Sequence, residues 1–498
     1  MNSSFKARMI SSALLVAASI PALAASCESL ASLSLPDTAI TRAETVSEGA
    51  PAPQNLKNLP AFCRVAATLK PSADSDIKIE VWLPASGWNG KYEAVGNGGW
   101  SGSIAYSAMA EALRRGYAAS STDTGHSGGS ASFALGHPEK LIDYAYRSEH
   151  EMTVKAKAII AAFYGNGPKL AYWNGCSAGG KQALKEAQRF PADFDGIIAG
   201  APGNNWTGRA TFSMWVAQAV HKDEAAYIPP EKYPLIHNAV VAACDALDGI
   251  KDGILEDPTR CRFDPKILEC KGADGPACLT VPQVEAARKI YSGAINPRTK
   301  RQIFPGLEPG SELAWNVLAS PKPFAIGDDF FKYVVFKDPS WDYTTLNFDR
   351  DIELAEKTGN PLIDAMDPNL KPFFGHGGKL LQYHGWSDWQ ISPLNSVNYY
   401  QSVLEALGGA SKVQDSYRLF MAPGMGHCGG SEGPNHFDML GALEQWVEKS
   451  KPPAQIVASR ITDGKVDRTR PLCPYPQIAK YKGTGSTDDA ANFACALP

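Results

Sequence analysis

Two pairs of residues, far apart in the chain, do most to restrict how it can fold. Cys176 and Ser177 are neighbours in Trp173-Asn174-Gly175-Cys176-Ser177-Ala178-Gly179-Gly180. His427 and Cys428 are neighbours in Gly424-Met425-Gly426-His427-Cys428. A serine becomes a strong nucleophile only with a base in hydrogen-bond reach, and a cysteine beside each partner could tie the two loops covalently. A fold that uses this pair must bring both segments together.

The context of Ser177 supports that use. A short apolar strand at 169–173 precedes it, and a helix at 181–189 follows. A sharp strand-to-helix turn exposes the serine oxygen and aims the helix N-terminus at a developing oxyanion. The pattern G-x-S-x-G occurs twice more. Ser127 is followed by Gly-Gly-Ser-Ala-Ser, poor helix formers, and then by His137-Pro138. Ser431 has no strand directly before it and runs into Gly433-Pro434. Both read as loop serines, Ser127 near the mouth of the site.

Strand signals at 77–83, 91–95, 116–119 and 194–199 alternate with helical spacing at 108–114 and 150–163. This rhythm predicts an α/β fold with a largely parallel sheet covered on both faces. It breaks from about 204 to 372, in Pro, Gly, Asp and aromatic clusters, and resumes with strands at 379–383 and 416–421 and a helix at 436–448. The expected organisation is one core in two parts, 25–203 and 373–498, interrupted by an inserted lid over 204–372. The stretch from Cys27 to Cys63 reads as a polar lead-in.

In α/β-hydrolases the triad runs Ser, then Asp or Glu, then His. Asp388 just past one late strand and His427 just past the next fit that order, at the sheet edge where such sites form. His427 would take the serine proton and Asp388 would orient the imidazole. The oxyanion would be met by the backbone N–H of Ala178 and by the glycine-rich stretch Gly98-Gly99, where the backbone can approach a ligand closely. His384, four residues before Asp388, reads as a pocket wall.

The N-terminus resembles a secretory leader over 1–24: Lys6 and Arg8, an apolar run from Met9, and Ala22-Leu23-Ala24 at the cleavage point. No other stretch approaches the length of a membrane span. All ten cysteines lie beyond the leader, and an even count in an exported chain argues for disulfides. Proximity pairs Cys244 with Cys261, Cys270 with Cys278 and Cys473 with Cys495, leaving Cys27, Cys63, Cys176 and Cys428. No C-x2-C spacing supports a zinc site. A net charge of -4 without a basic run or basic–aromatic stripe argues against nucleic acid as a partner.

The stretches NGKYEAVGNGGWSGS, GCSAGGKQALKEAQRFPADFDGIIAGAPG, CDALDGIKDGI, YHGWSD, PGMGHC and RTRPLCPYPQIAKYKG together resemble the tannase/feruloyl esterase family. That family of secreted α/β-hydrolases also contains hydrolases of mono(2-hydroxyethyl) terephthalate. The resemblance implies a serine esterase acting through an acyl-enzyme on small-molecule esters of feruloyl- or galloyl-type acids. Hydrolysis of terephthalate monoesters is the nearest alternative, and a non-catalytic aromatic-ester-binding module the alternative from another class. The resemblance puts nucleophile, acid and base on Ser177, Asp388 and His427, the oxyanion donors on Gly99 and Ala178, and bridges at Cys176 with Cys428 and Cys27 with Cys63. It also implies a structural Ca2+ in the lid, held by side chains of Asp245, Asp248 and Asp252 and by the carbonyls of Ile250 and Ile254. Carboxylates at close spacing suit such a hard cation. The terephthalate-monoester hydrolases carry an acidic residue where this chain has Ala178. Seven aromatics of the insertion, Trp315, Phe324, Phe330, Phe331, Tyr333, Phe336 and Trp341, could stack on an aromatic acyl group or form the core of the insertion. Oligomeric state is not legible.

Overall fold

The structure is a computed structural model that describes Met1 and residues 26–498, so nearly all of the expected leader lies outside the described residues. Its centre is a nine-stranded sheet in the order β1-β2-β3-β5-β4-β6-β7-β10-β11. The strands are β1 (Thr38–Val46), β2 (Phe62–Leu69), β3 (Ile77–Pro84), β4 (Lys91–Val95), β5 (Ala118–Thr122), β6 (Leu170–Cys176) and β7 (Gly196–Gly200), then β10 (Lys379–Gly385) and β11 (Tyr417–Ala422). β8 (Ala294–Ile295) and β9 (Gln302–Phe304) form a small hairpin elsewhere. The first pairings, through β3 with β5, are antiparallel, and all those from β5 to β11 are parallel.

The parallel strands are short apolar runs because both of their faces are covered. On one side, Met152, Ala156, Ile159 and Ile160 of helix Ser148–Tyr164 and Ala183, Leu184 and Ala187 of helix Ala178–Arg189 pack on Tyr92, Trp173 and Ile197. On the other, Met109 and Leu113 of helix Tyr106–Arg114 and Leu443 and Trp446 of helix Met439–Lys449 pack on Tyr172, Ile198 and Phe420. The result is a three-layer sandwich with α/β-hydrolase architecture.

Between β7 and β10 no strand joins the main sheet. This stretch is built from helices, chiefly Trp206–His221, Tyr233–Cys244, Val281–Ser292 and Arg350–Gly359. Helix Trp206–His221 is its axis. Phe212, Val216 and Val220 face one apolar cluster, whereas Trp206, Ala210 and Met214 face another that also takes in Trp100 and Ala178 of the sheet domain. Trp315, Phe330 and Phe331 are buried in these clusters, and Phe331, Phe336 and Trp341 stack on one another. These rings serve packing of the insertion.

Two regions depart from expectation. The lead-in from Cys27 to Cys63 carries an edge strand, β1, paired antiparallel to β2. The C-terminal tail forms two further hairpins, β12 (Ile456–Thr462) with β13 (Lys465–Leu472) and β14 (Ile478–Tyr481) with β15 (Phe493–Ala496). Five disulfides join Cys27–Cys63, Cys176–Cys428, Cys244–Cys261, Cys270–Cys278 and Cys473–Cys495. No helix among the described residues is long and apolar enough to cross a membrane.

Candidate active site

Ser177 occupies the turn between β6 and helix Ala178–Arg189, with φ 64° and ψ -119°. Its N–H donates to Gly200 O at 2.9 Å, and its carbonyl accepts from Lys181 N and Gly203 N, each at 3.0 Å. The turn closes only because its neighbours lack side chains. A Cβ on Gly175 would lie 2.5 Å from Gly179 O, and one on Gly180 would lie 2.4 Å from Gly200 O. Ala178 opens the helix, so no carbonyl of that helix can accept its N–H.

The glycine-rich loop after β4 lies against the same helix. Gly96 approaches so closely that a Cβ would sit 2.6 Å from Gly179 Cα. Asn97 and Gln182 clamp the contact: Asn97 N donates to Gln182 Oε1 at 3.1 Å, and Gln182 Nε2 donates to Asn97 Oδ1 at 2.9 Å. Gly99 sits at φ 54°, in the left-handed region, and its carbonyl accepts from Tyr144 Oη at 2.7 Å. Trp100 donates its indole N–H to Ile326 O at 2.9 Å, which fastens the loop to the insertion. His126 Nε2 donates to Trp100 O at 2.8 Å. Of the expected oxyanion donors, Ala178 opens the helix directly after Ser177, and Gly99 lies on the loop clamped to that helix by Asn97 and Gln182. Ser127 is exposed in a loop where Gly102 pairs with Gly128, and Ser431 is exposed in a loop beyond Cys428. Neither introduces a helix of the kind that follows Ser177.

Asp388 and His427 come from adjacent loops past β10 and β11. Those loops are zipped together: Trp386 N donates to Ala422 O and Ser387 N to Met425 O, each at 2.9 Å. Gly385 permits the approach, since a Cβ there would meet Met425 O at 2.2 Å. His427 Nδ1 lies 2.7 Å from Asp388 Oδ2. The carboxylate fixes the proton on Nδ1 and leaves Nε2 with its lone pair, the tautomer a general base requires. Asp388 is fully buried. Burial would raise its pKa, but the charge of His427 and hydrogen bonds from His384 and His427 hold the carboxyl far below the usual range. The Cys176–Cys428 bridge, with its Cα atoms 6.0 Å apart, ties the loop of Ser177 to the loop of His427.

His384 departs from its expected role as a pocket wall. It is fully buried and bonded to Asp388 Oδ2 at 3.0 Å and to Ser396 Oγ at 2.7 Å. Its spacing from Asp388 was visible in the sequence, but Ser396 was not recognisable as its partner. Asn97, His126, Tyr144 and Gln182 had no distinguishing signal at all, since their partners come from elsewhere in the chain.

The acidic loop at 245–256 lies in the insertion, closed by Cys244–Cys261. Asp245, Asp248, Glu256 and Asp257 line one small cleft. Asp252 forms an ion pair with the buried Arg470 of β13, and Glu256 Oε2 lies 3.3 Å from the same guanidinium. Burial, reinforced by the charges of Asp252 and Asp245, pushes Asp248 up to about 6 despite a hydrogen bond from Ile250 N and the charge of Arg470. The Asp252 carboxylate meets Arg470, while both oxygens of Asp245 accept from Gly253 N, at 3.1 and 3.2 Å. His150, Glu186 and Asp193 bring ligand atoms within 4.8 Å of one another, towards the C-terminal end of helix Ala178–Arg189. There His150 and Asp193 are already bonded at 2.6 Å, and burial with the nearby Asp193 charge raises the Glu186 carboxyl well above the usual range.

The sequence profile described as "Tannase and feruloyl esterase" matches residues 63–496. An uncharacterized esterase of Xanthomonas campestris pv. campestris is 40% identical over 524 residues, covering 95% of this chain and 91% of its own. A probable feruloyl esterase B-2 of Aspergillus terreus is 35% identical over 458 residues, covering 87% and 86%. Among solved structures, feruloyl esterase B from Aspergillus oryzae superposes with a TM-score of 0.90 at 32% identity, covering 94% of this chain and 99% of that one. The tannin acyl hydrolase from Aspergillus niger shares the fold, with a TM-score of 0.79 at 22% identity over 93% and 92% of the two chains. The chain belongs to the tannase and feruloyl esterase family.

Proposed function

We propose that this protein is a serine esterase that cleaves small esters of aromatic acids, of the feruloyl or galloyl type, through an acyl-enzyme. One observation carries the reading: a serine on a strained strand-to-helix turn is disulfide-tied to the loop of a histidine whose Nδ1 is bonded to a buried carboxylate. Ser177 Oγ attacks the ester carbonyl carbon while His427 Nε2 takes its proton. The C–O bond to the alcohol breaks, and the departing oxygen receives that proton. Water then attacks the acyl-enzyme by the same route, releasing the acid and restoring the serine. Gly99 and Ala178 supply backbone N–H groups to the tetrahedral oxyanion. The insertion serves as the lid, and Ile326, bonded to Trp100 beside Gly99, brings it to the acyl site.

The acidic loop suits Ca2+. Its donors are hard oxygens, and Arg470 is the buried cation set against Asp248, Asp252 and Glu256. Asp245, Asp248 and Asp252, with the carbonyls of Ile250 and Ile254, would hold the ion. It would supply charge neutralisation and cross-linking, with no part in ester cleavage. Five disulfides and a leader-like N-terminus support export to an oxidising compartment.

The test is hydrolysis of p-nitrophenyl esters, followed by methyl ferulate, methyl gallate and mono(2-hydroxyethyl) terephthalate. Ser177→Ala is expected to lose at least about a thousandfold in kcat/KM, whereas Ser127→Ala keeps parental activity. The reverse pattern would move the nucleophile to Ser127. Binding of ferulates without turnover by the parent protein would favour a non-catalytic module.

A further inference from the structure

The carboxylate that orients His427 is held by a second imidazole. Asp388 Oδ2 lies 2.7 Å from His427 Nδ1 and 3.0 Å from His384 Nε2, while Oδ1 accepts from Gln390 N at 2.8 Å and Ile391 N at 3.0 Å. His384 Nε2 also lies 3.1 Å from Ile391 O. Both neighbours of that nitrogen are acceptors, so Nε2 carries a proton. On the other side of the ring, Nδ1 is 2.7 Å from Ser396 Oγ, on helix Leu394–Leu407. Ser396, His384 and Asp388 are all fully buried. A continuous row therefore runs from Ser396 through His384 and Asp388 to His427, ending at the imidazole assigned as base.

We propose that His384 is a positioning residue for the esterase reaction, anchoring Asp388 Oδ2 and tempering its pull on the His427 imidazolium. The proposal rests on the roles given above to Ser177, Asp388 and His427. Two effects follow from one bond. The carboxylate, with a donor in each direction, cannot swing away when His427 turns between serine and leaving group. The N–H of His384 also draws charge from the very oxygen that stabilises protonated His427, which weakens that oxygen's hold on the imidazolium relative to an otherwise free one. Besides these groups, the buried guanidinium of Arg209, on helix Trp206–His221, acts on the charge of Asp388. That cation is untouched by changes at His384.

The experiment measures kcat, KM and the pH profile of kcat/KM on a p-nitrophenyl ester, normalised to active sites titrated with a phosphonate. His384→Leu is expected to lower kcat tenfold to a hundredfold and change KM less than about twofold. It is also expected to move the acid limb upward by about half a pH unit or more. His384→Gln, whose amide can still donate to Asp388, should restore most of kcat and return the limb. Should His384→Leu fail to accumulate, Ser396→Ala frees Nδ1 while keeping the ring, and a smaller shift in the same direction is expected. A role in packing alone would lower the melting midpoint and leave the limb of the titrated enzyme in place. That outcome in whichever variant folds would overturn the proposal. If the parent hydrolyses esters and Ser177→Ala does not, failure here belongs to His384 and not to the esterase assignment.

Discussion

At the scale of single residues, Ser177 holds a backbone conformation that residues other than glycine adopt at a cost of about 1–3 kcal/mol. The turn is over-determined by its three backbone hydrogen bonds and by the bare glycines around it. Gly175 is the sharpest case, because a Cβ there runs into backbone, which cannot rotate aside. Gly175→Ala is expected to cost about 3 kcal/mol or more in urea unfolding and to remove esterase activity. Gly167→Ala is the control. Gly167 is exposed, with nothing within 4 Å of an added Cβ, so a change of no more than about 0.5 kcal/mol is expected. Equal unfolding midpoints in the two variants would mean that the turn can relax, and that the glycines are not what shapes it.

At the scale of elements, the insertion is fastened to the loop beyond His427 by one imidazole. His237, on helix Tyr233–Cys244, has Nδ1 2.9 Å from Glu312 Oε2 and Nε2 2.9 Å from Glu432 Oε2. Glu432 lies just past Cys428. Burial lowers the pKa of His237, but the bonds to Glu312 and Glu432 outweigh it and push it up to about 9. A histidine raised above its unfolded value of about 6.5 stabilises the fold fully below that value and ceases to do so as pH rises through about 9. The melting midpoint of His237→Gln is therefore expected to fall below the parent's at pH 6 and to converge with it by pH 10; a constant gap would show that His237 is uncharged. Nothing in the sequence around His237 announces this clamp, since its partners follow it by long intervals. The elements that could be read were of another kind. β6 and β7 are apolar because they are buried on both faces, and helix Ala178–Arg189 follows a glycine-rich turn, so strand, elbow and helix carry a local signature. β1 has none: as an edge strand with exposed residues in TAITRAETV, it is defined by its register with β2. The same holds at the site. Ser177, Asp388 and His427 each stand just after a recognisable strand, whereas His384, His126 and Gln182 act through partners that only the folded chain supplies.

At the scale of the whole molecule, three distant segments meet beside the His427 loop. The acidic loop belongs to the insertion, Arg470 to the tail, and Gly424 to the turn before His427. Arg470 binds Asp252 and Glu256, Arg468 Nη1 donates to Asp252 O at 3.0 Å, and Ala479 N donates to Glu256 Oε1 at 2.8 Å. From the same loop, the side chain of Ile254 lies 3.4 Å from where a Cβ on Gly424 would stand. An ion in the acidic loop would therefore cross-link insertion and tail and buttress the turn, while reaching His427 only by packing. A ligand that binds the folded state alone stabilises it by about 2.7 kcal/mol at a hundred times its Kd. Chelation with EGTA is accordingly expected to lower the melting midpoint by several degrees. Added Ca2+ should restore it, and Mg2+, which demands a tighter octahedral shell, should not. Asp248→Asn should melt near the chelated parent and respond to neither treatment. Through all of this kcat/KM on a p-nitrophenyl ester at 25 °C is expected to change less than about twofold, since no hydrogen bond links the loop to His427, Asp388 or Ser177 among the described residues. A midpoint indifferent to EGTA would remove calcium from this loop and leave Arg470 as the counter-charge that holds it. A loss of activity in step with the melting shift would instead make the ion part of what aligns the His427 turn.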